Sequence, residues 1–240
     1  MPHSIFVSDL HLTPERPRAN EAFREFIAGT AAQAQAVYIL GDLFEYWVGD
    51  DDLADSFNAG IADTLRSLSA RGVVLHFMHG NRDLLAGEAF ARRSGARLIP
   101  DPLLLDLHGT PTLVMHGDTL CTDDIEYQKF RAFAHDPANQ RRFLAQPIEL
   151  RRKEITGYRA GSEKSKQEKS AEIMDVTQAA VERTLREFGY PRLIHGHTHR
   201  PGRHLHVVDG RSCERWVLTD WYGRAGYLRC DATGCQAISL

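Results

Sequence analysis

The chain alternates short apolar runs with longer amphipathic stretches. Apolar runs at 5–8, 37–40, 73–78, 97–99, 103–107 and 112–115 predict strands, and the segments 20–34 and 53–70 predict helices. Phe23, Phe26 and Ile27 recur on one face of the first helix. From about 122 to 188 the strand signals stop. There Tyr127, Phe130, Phe133 and Ala134 recur at helical spacing, and three further helical patterns follow, punctuated near Pro137, Pro147 and Gly161. Strand signals resume at 192–194 and continue at 207–208, 216–218, 227–229 and 237–239. Alternation of this kind predicts an α/β layered fold, helices covering sheet. Its core would be formed by 1–121 and 189–240, with 122–188 as a helical insertion and a tail that meanders through sheet.

Composition narrows the class. A chain of 240 residues, 42% hydrophobic and 25% charged, can bury a full core and is not a disordered one. No stretch approaches the roughly 20 apolar residues of a spanning helix, and Met1-Pro2-His3-Ser4 opens no signal peptide. A cytosolic protein is therefore expected, with Cys121, Cys213, Cys230 and Cys235 as reduced thiols. The net charge of −3 argues against a protein that coats nucleic acid. That charge is unevenly spread: 141–169 carries +5 and the rest of the chain −8. The basic insertion reads either as a solvated helical surface or as a lid facing an anionic substrate or an acidic membrane surface. Asp50-Asp51-Asp52 before Leu53 predicts a helix cap.

Five polar clusters each follow an apolar run: Asp9-Leu10-His11, Gly41-Asp42, Gly80-Asn81-Arg82-Asp83, His116-Gly117-Asp118 and Gly196-His197-Thr198-His199. Asp-x-His and His-x-His put two side chains on one face of an extended segment. Each alone is weak. In an α/β sheet, however, residues just past the carboxyl ends of strands converge on one crevice. Oxygen and imidazole ligands without thiolate suit Mn²⁺, Fe²⁺ or Zn²⁺, and the donors are too many for one ion. Two ions about 3.5–4 Å apart, sharing one carboxylate, are the economical reading, and such pairs hydrolyse phosphate esters.

These motifs, in this order over residues 9 to 199, resemble the signature of calcineurin-like dinuclear metallophosphoesterases. The resemblance implies a two-sheet α/β sandwich with helices on the outer faces and a helical lid insertion. It also implies that Asp9, His11 and His199 hold the first metal, that Asn81, His116 and His197 hold the second, and that Asp42 bridges them. The general pattern has histidine after the asparagine; here Arg82 stands in its place. Arginine stays protonated, so it suits a clamp on a phosphoryl oxygen better than a proton donor. With Ser8-Asp9-Leu10-His11-Leu12 and Gly41-Asp42-Leu43-Phe44-Glu45-Tyr46-Trp47, the chain is similar to the branch that cleaves UDP-2,3-diacylglucosamine in lipid A biosynthesis.

That similarity implies hydrolysis to UMP and 2,3-diacylglucosamine 1-phosphate, usually with Mn²⁺, by a metal-activated hydroxide attacking the UMP-side phosphorus. Asp42, Asn81 and Arg82 would be catalytic. Asp124, Ser162, Lys166 and Lys169 would contact the substrate, with Asn81, Arg82 and His197 at its phosphate end, and Asp123 is the neighbour that could replace Asp124. Ser162, Lys166 and Lys169 are spaced to share a helical face. Phe130, Phe133, Phe143, Leu144, Leu150, Ile155 and Met174 would line an acyl channel or form the seam between inserted helices. Asp83 and Asp118 are expected to orient ligands, and His195 to lie behind them or in the core. The partner expectations are a lipid-linked UDP-sugar, peripheral contact with the cytoplasmic face of the inner membrane, no nucleic acid, and a monomer. The alternatives are a soluble nucleotide diphosphatase or cyclic-nucleotide phosphodiesterase with the same two-metal site, and a metal-free interaction scaffold.

Overall fold

The computed structural model describes residues 1–168 and 173–240, and the side chains of all of these apart from 159–168. In chain order the first half comprises β1 (Ser4–Val7), α1 (Pro17–Ala28), β2 (Ala36–Leu40), α2 (Ser56–Ser69), β3 (Val74–Met78), α3 (Glu88–Ser94), β4 (Arg97–Leu98), β5 (Leu103–Leu107) and β6 (Thr110–Met115). The second half comprises α4 (Ile125–His135), α5 (Pro137–Leu144), α6 (Ile148–Glu168), α7 (Gln178–Glu187), β7 (Arg192–His195), β8 (Gly202–Val208), β9 (Arg211–Val217), β10 (Gly226–Asp231) and β11 (Gly234–Ser239). The strands form two sheets, ordered β11-β10-β1-β2-β3-β4 and β5-β6-β7-β9-β8. At the middle of each sheet the strands run parallel, β1 with β2 and β3 in one, β6 with β7 and β9 in the other.

Strict two-residue alternation sorts the apolar side chains into three layers. Ile5, Val7, Val37, Ile39, Leu75 and Phe77 turn outward and meet Phe23, Phe26 and Ile27 of α1, Ile61 and Leu65 of α2 and Phe90 of α3. Phe6, Leu40 and Met78 turn the other way and meet Val114, Ile194 and Leu218 of the second sheet, which makes the interior of the sandwich. Leu113, Met115 and Leu193 face outward on that sheet and are covered by Ala180, Val181 and Leu185 of α7. Strands buried on both faces read as the continuous apolar runs seen in the sequence. The fold is the expected α/β sandwich. Because α7 packs on the second sheet, only α4–α6 stand apart from the layers within the expected 122–188 insertion.

Three expectations need correction. Asp50-Asp51-Asp52 does not cap α2. The three residues sit in a 3-10 turn, and Asp55 caps α2 by accepting from Phe57 N and Asn58 N. Asp50 serves α3 instead, accepting from Gly87 N, Ala89 N and Phe90 N at 2.8, 2.7 and 3.3 Å. That helix was invisible in the sequence because only one large apolar side chain, Phe90, marks its buried face. Second, Cys230 and Cys235 are not reduced thiols: the register of the β10–β11 hairpin sets them opposite one another, Cα atoms 4.2 Å apart, and they form a disulfide. Cys121 and Cys213 are free. Third, the seven apolar residues singled out in the insertion form no buried seam: Phe130, Phe133, Leu144 and Leu150 are exposed, and Phe143, Ile155 and Met174 are only half-buried.

Asp50 supplies the acceptor for three N–H groups that α3 cannot pair internally. Asp50→Ala is expected to lower stability by about 1–2 kcal/mol, measured by urea unfolding; an unchanged midpoint would show that water replaces the carboxylate without loss.

Candidate metal centre

Five of the parallel strands, β1, β2, β3, β6 and β7, each deliver one polar cluster at the carboxyl end. Asp9 and His11 follow β1, Asp42 follows β2, Asn81 and Arg82 follow β3, His116 follows β6, and His197 and His199 follow β7. The loops are stitched by their own backbones. In the first sheet Asp9 N donates to Gly41 O, His11 N to Asp42 O and Leu12 N to Leu43 O; in the second, Gly196 N donates to His116 O. Asp83, fully buried, draws the second and third loops together by accepting from Leu43 N and Gly80 N at 2.7 and 2.8 Å. The approach is so close that glycine is required. A Cβ at Gly41 would stand 2.5 Å from Gly80 Cα, and one at Gly196 would collide with Ser8 and Asp9.

The turn geometry is correspondingly strained. Of the eight non-glycine residues with positive φ among those described, Asp9, His11, Asp42, His197 and His199 are candidate ligands. Left-handed backbone at such residues costs about 1–3 kcal/mol each, and the packing around the loops has to impose it.

The side chains converge in two sets. His11 Nε2 and His199 Nε2 lie 3.3 Å apart, with Asp9 Oδ1 at 4.0 Å from the first and 3.4 Å from the second. Two nitrogens each about 2.1 Å from one ion at a tetrahedral angle stand about 3.4 Å apart. In the other set Asn81 Oδ1 lies 3.2 Å from His116 Nε2 and 3.0 Å from His197 Nδ1. Asp42 Oδ2 sits between the sets, 3.9 Å from His11 Nε2 and 3.9 Å from His116 Nε2. His116 Nδ1 meets Leu40 O at 2.9 Å, which assigns that nitrogen the proton and turns Nε2 into the site. Asp9 Oδ1 is buried without a hydrogen-bond donor. An orphaned carboxylate oxygen facing two imidazole nitrogens is a donor set that fits a divalent cation.

Electrostatics point the same way. Burial pushes Asp42 up to about 7, and the like charges of Asp83 and Asp9 add to it while His116 opposes them. Although burial also disfavours a cation at His116, the Asp42, Asp118 and Asp9 carboxylates raise it to about 9. Burial and the neighbouring His116 drop His197 to about 3. Burial works against the Asp9 anion, yet its histidine neighbours hold the carboxyl well below the usual range. Excess negative charge is being balanced by whatever cation is at hand.

Other expected residues fall nearby in different roles. Arg82 N donates to Asp42 Oδ1 at 2.8 Å, and its cation lowers that carboxyl. Asp118 holds Tyr127 Oη at 2.9 Å and Arg131 Nε at 2.7 Å, and the Tyr127 ring leans on His197 at 5.3 Å. Asp124 caps α4, accepting from Tyr127 N. His195 is fully buried, with Nε2 3.1 Å from Arg215 Nη1. Ser162 and Lys166 belong to α6 by backbone, but their side chains, and Lys169 altogether, lie outside the described residues.

Sequence reasoning missed Glu45 and Tyr222. Buried Glu45 Oε2 lies 3.8 Å from His11 Nδ1 and accepts from Tyr222 Oη at 2.9 Å. The Tyr222 ring stacks on His11 at 4.8 Å and approaches His199 at 5.6 Å, with the Arg16 guanidinium 4.4 Å from its centre. Glu45 stands three residues after Asp42, a spacing that could have raised it. Nothing local marks Tyr222, which arrives from the turn between β9 and β10.

The profile of the calcineurin-like phosphoesterase family matches residues 3–201. The chain is 55% identical over 231 residues to the UDP-2,3-diacylglucosamine hydrolase of Aromatoleum aromaticum, covering 96% of this chain and 94% of the relative. It is 47% identical to the enzyme of the same name from Stenotrophomonas maltophilia, over 99% and 98% of the two chains. A solved archaeal phosphodiesterase aligns over 99% of both chains at 12% identity, with a TM-score of 0.47.

Two substitutions probe the centre through metal content. Gly196→Ala, which crowds Ser8 and Asp9, is expected to purify with less than the wild-type metal per chain by elemental analysis; full loading would contradict the packing argument. Tyr222→Ala is expected to weaken Mn²⁺ binding about tenfold or more by calorimetric titration. Tyr222→Phe, which keeps the ring and loses the Glu45 bond, should fall between the two proteins.

Proposed function

This chain belongs to the calcineurin-like phosphoesterase family and is a hydrolase, and from that premise we propose that it hydrolyses the diphosphate of UDP-2,3-diacylglucosamine to UMP and 2,3-diacylglucosamine 1-phosphate. One observation carries the reading: the similarity to relatives of that name extends over nearly the full length of both chains, the helical insertion included. A match limited to the metal-binding loops would support only a phosphoesterase.

Asp9, His11 and His199 would hold one ion, Asn81, His116 and His197 the other, with Asp42 between them. Two bound divalent ions, Mn²⁺ in this reading, supply Lewis acidity at the phosphoryl oxygens and an activated water. Arg82, adjacent to Asn81, brings a permanent cation to the equatorial oxygens, where charge builds in the transition state. Asp124, Ser162, Lys166 and Lys169 contact the sugar and phosphate groups. The open apolar side chains of Phe130, Phe133, Leu144 and Leu150 offer a surface for acyl chains. No described helix is long and apolar enough to cross a membrane. Access to an acylated substrate would then come through reversible contact of this basic, apolar insertion with the cytoplasmic face of the inner membrane, the protein acting as a monomer.

The test is incubation with the diacylated UDP-sugar and Mn²⁺, which should release UMP, with ¹⁸O from labelled water in UMP. Label in the lipid phosphate would refute attack at the UMP-side phosphorus, and equal turnover of UDP-glucose would favour a soluble nucleotide diphosphatase. Asp42→Ala is expected to abolish turnover. Arg82→Ala should lower turnover at least about a hundredfold with metal content intact; loss of a metal equivalent would make Arg82 a support for the ligands instead.

A further inference from the structure

The largest buried charged side chain in the described structure is Arg151, in the first turn of α6, only 2% exposed. It was counted above among the cations of a basic surface, and it is not one of them. Its guanidinium crosses to the core and forks onto both carboxylate oxygens of Asp51, Nη1 to Oδ1 at 3.0 Å and Nη2 to Oδ2. Nη1 also donates to Val48 O, and Nε donates to Gln146 O at 3.0 Å. Next to it Arg152 Nη2 donates to buried Asp52 at 2.6 Å. Gly49 lies directly beneath, at φ +129°; a Cβ there would stand 2.5 Å from Arg151 Nη1 and 2.7 Å from a Leu144 methyl.

Apart from Gln146 O, which belongs to the insertion itself, these acceptors lie in the segment that begins with Asp42. That segment is pinned along its length: Leu43 N by Asp83, Trp47 N by Arg82 O, and Asp50 by the N-terminus of α3. The three consecutive aspartates therefore hold two different elements, Asp50 the core helix α3, and Asp51 and Asp52 the base of α6. The far end of the insertion has a weaker tie, Arg200 to Asp175 at 2.6 Å, with both partners partly exposed.

We propose that Arg151 is a positioning residue, fixing α5 and α6 at a set distance from the metal centre through the 48–52 turn, so that a substrate spanning both finds its two ends in register. The proposal rests on the diacylated UDP-sugar as substrate. A ligand held only at its phosphates would not feel the joint, whereas one whose sugar and acyl groups lie against the insertion would bind through it. Arg151 touches neither the candidate ligands nor the phosphate end, so its effect should appear in binding of the long substrate and not in the chemistry.

The experiment compares Arg151→Met and Arg151→Lys with wild type. Met retains the apolar stem and leaves Asp51 exposed to water; Lys retains the charge and loses the fork. With the acylated UDP-sugar, Arg151→Met should raise KM about tenfold with kcat within about twofold, and Arg151→Lys should lie between. With bis(4-nitrophenyl) phosphate, which reaches only the metal centre, kcat/KM should stay within about twofold for both. In parallel, backbone amides of 148–158 should exchange hydrogen faster in the Met variant, while those of 42–47 and 80–83 should not.

Equal losses on both substrates would overturn the proposal, because Arg151 would then act on the metal centre or on the whole fold. Unchanged KM for the long substrate, or unchanged exchange in 148–158, would overturn it as well. If the wild-type protein cleaves the small phosphodiester but not the acylated UDP-sugar, the substrate reading fails by itself, and the exchange measurement still decides whether Arg151 fixes the insertion.

Discussion

Buried carboxylates repel one another and lose their hydration, so a cluster of them persists only where positive charge or N–H donors are supplied in return. Asp9, Asp42 and Asp83 are all buried at the mouth of the sandwich, and the architecture of that mouth follows from their needs. Backbone donors serve Asp83, one oxygen of Asp42 and one of Asp9. Four histidines surround the remaining oxygens, and one of them, His116, is drawn up to about 9 by the carboxylates it faces. Imidazolium is a costly answer, since burial works against its charge. Divalent cations satisfy the carboxylates and the imidazole lone pairs together, which a proton on either cannot.

The rest of the fold makes that cluster tolerable. Five candidate ligands hold left-handed backbone, and a free loop would relax out of it. Here each loop is tied to its neighbour by main-chain hydrogen bonds, and the strands that feed the loops are buried on both faces by α1–α3 on one side and α7 on the other. Parallel strands are suited to this work because all their carboxyl ends open on the same edge. The antiparallel additions, β5, β8, β10 and β11, widen the sheets without contributing a candidate ligand. The β9–β10 connection is the exception: Trp221 N donates to Asp9 O, and the next residue, Tyr222, closes over His11.

How much of this was legible depended on the range of the interaction. Core strands could be read because a doubly buried strand writes a local apolar run. The candidate ligands could be read because each sits just past such a run, and a parallel sheet gathers those positions whatever the loops do. Local periodicity failed for α3, whose seven residues carry a single large apolar anchor and whose N-terminal partner, Asp50, comes from another loop. The three aspartates looked like one cap and serve two other elements, α3 and α6. Cys230 and Cys235 could not be paired by spacing, since only the hairpin register sets them face to face. Tyr222 lies 211 positions from the histidine it stacks on, and no one-dimensional pattern carries that information.

The insertion shows why charge counting misled. Helices α4 and α5 bury no side chain, so the usual means of holding a helix, an apolar stripe against a core, is absent. An apolar face left exposed does not dock the helix that carries it. Polar anchors take over: Tyr127 and Arg131 of α4 grip buried Asp118, and Arg151 and Arg152 of α6 grip the aspartates of the 48–52 turn. Ion pairs of this kind add little net stability but are strict about geometry. Under the proposed function, a surface kept open for the substrate yet in register with the metal centre would draw on the residues that fix direction best. Two of the arginines counted in the basic 141–169 segment, Arg151 and Arg152, are the bolts that hold it in place.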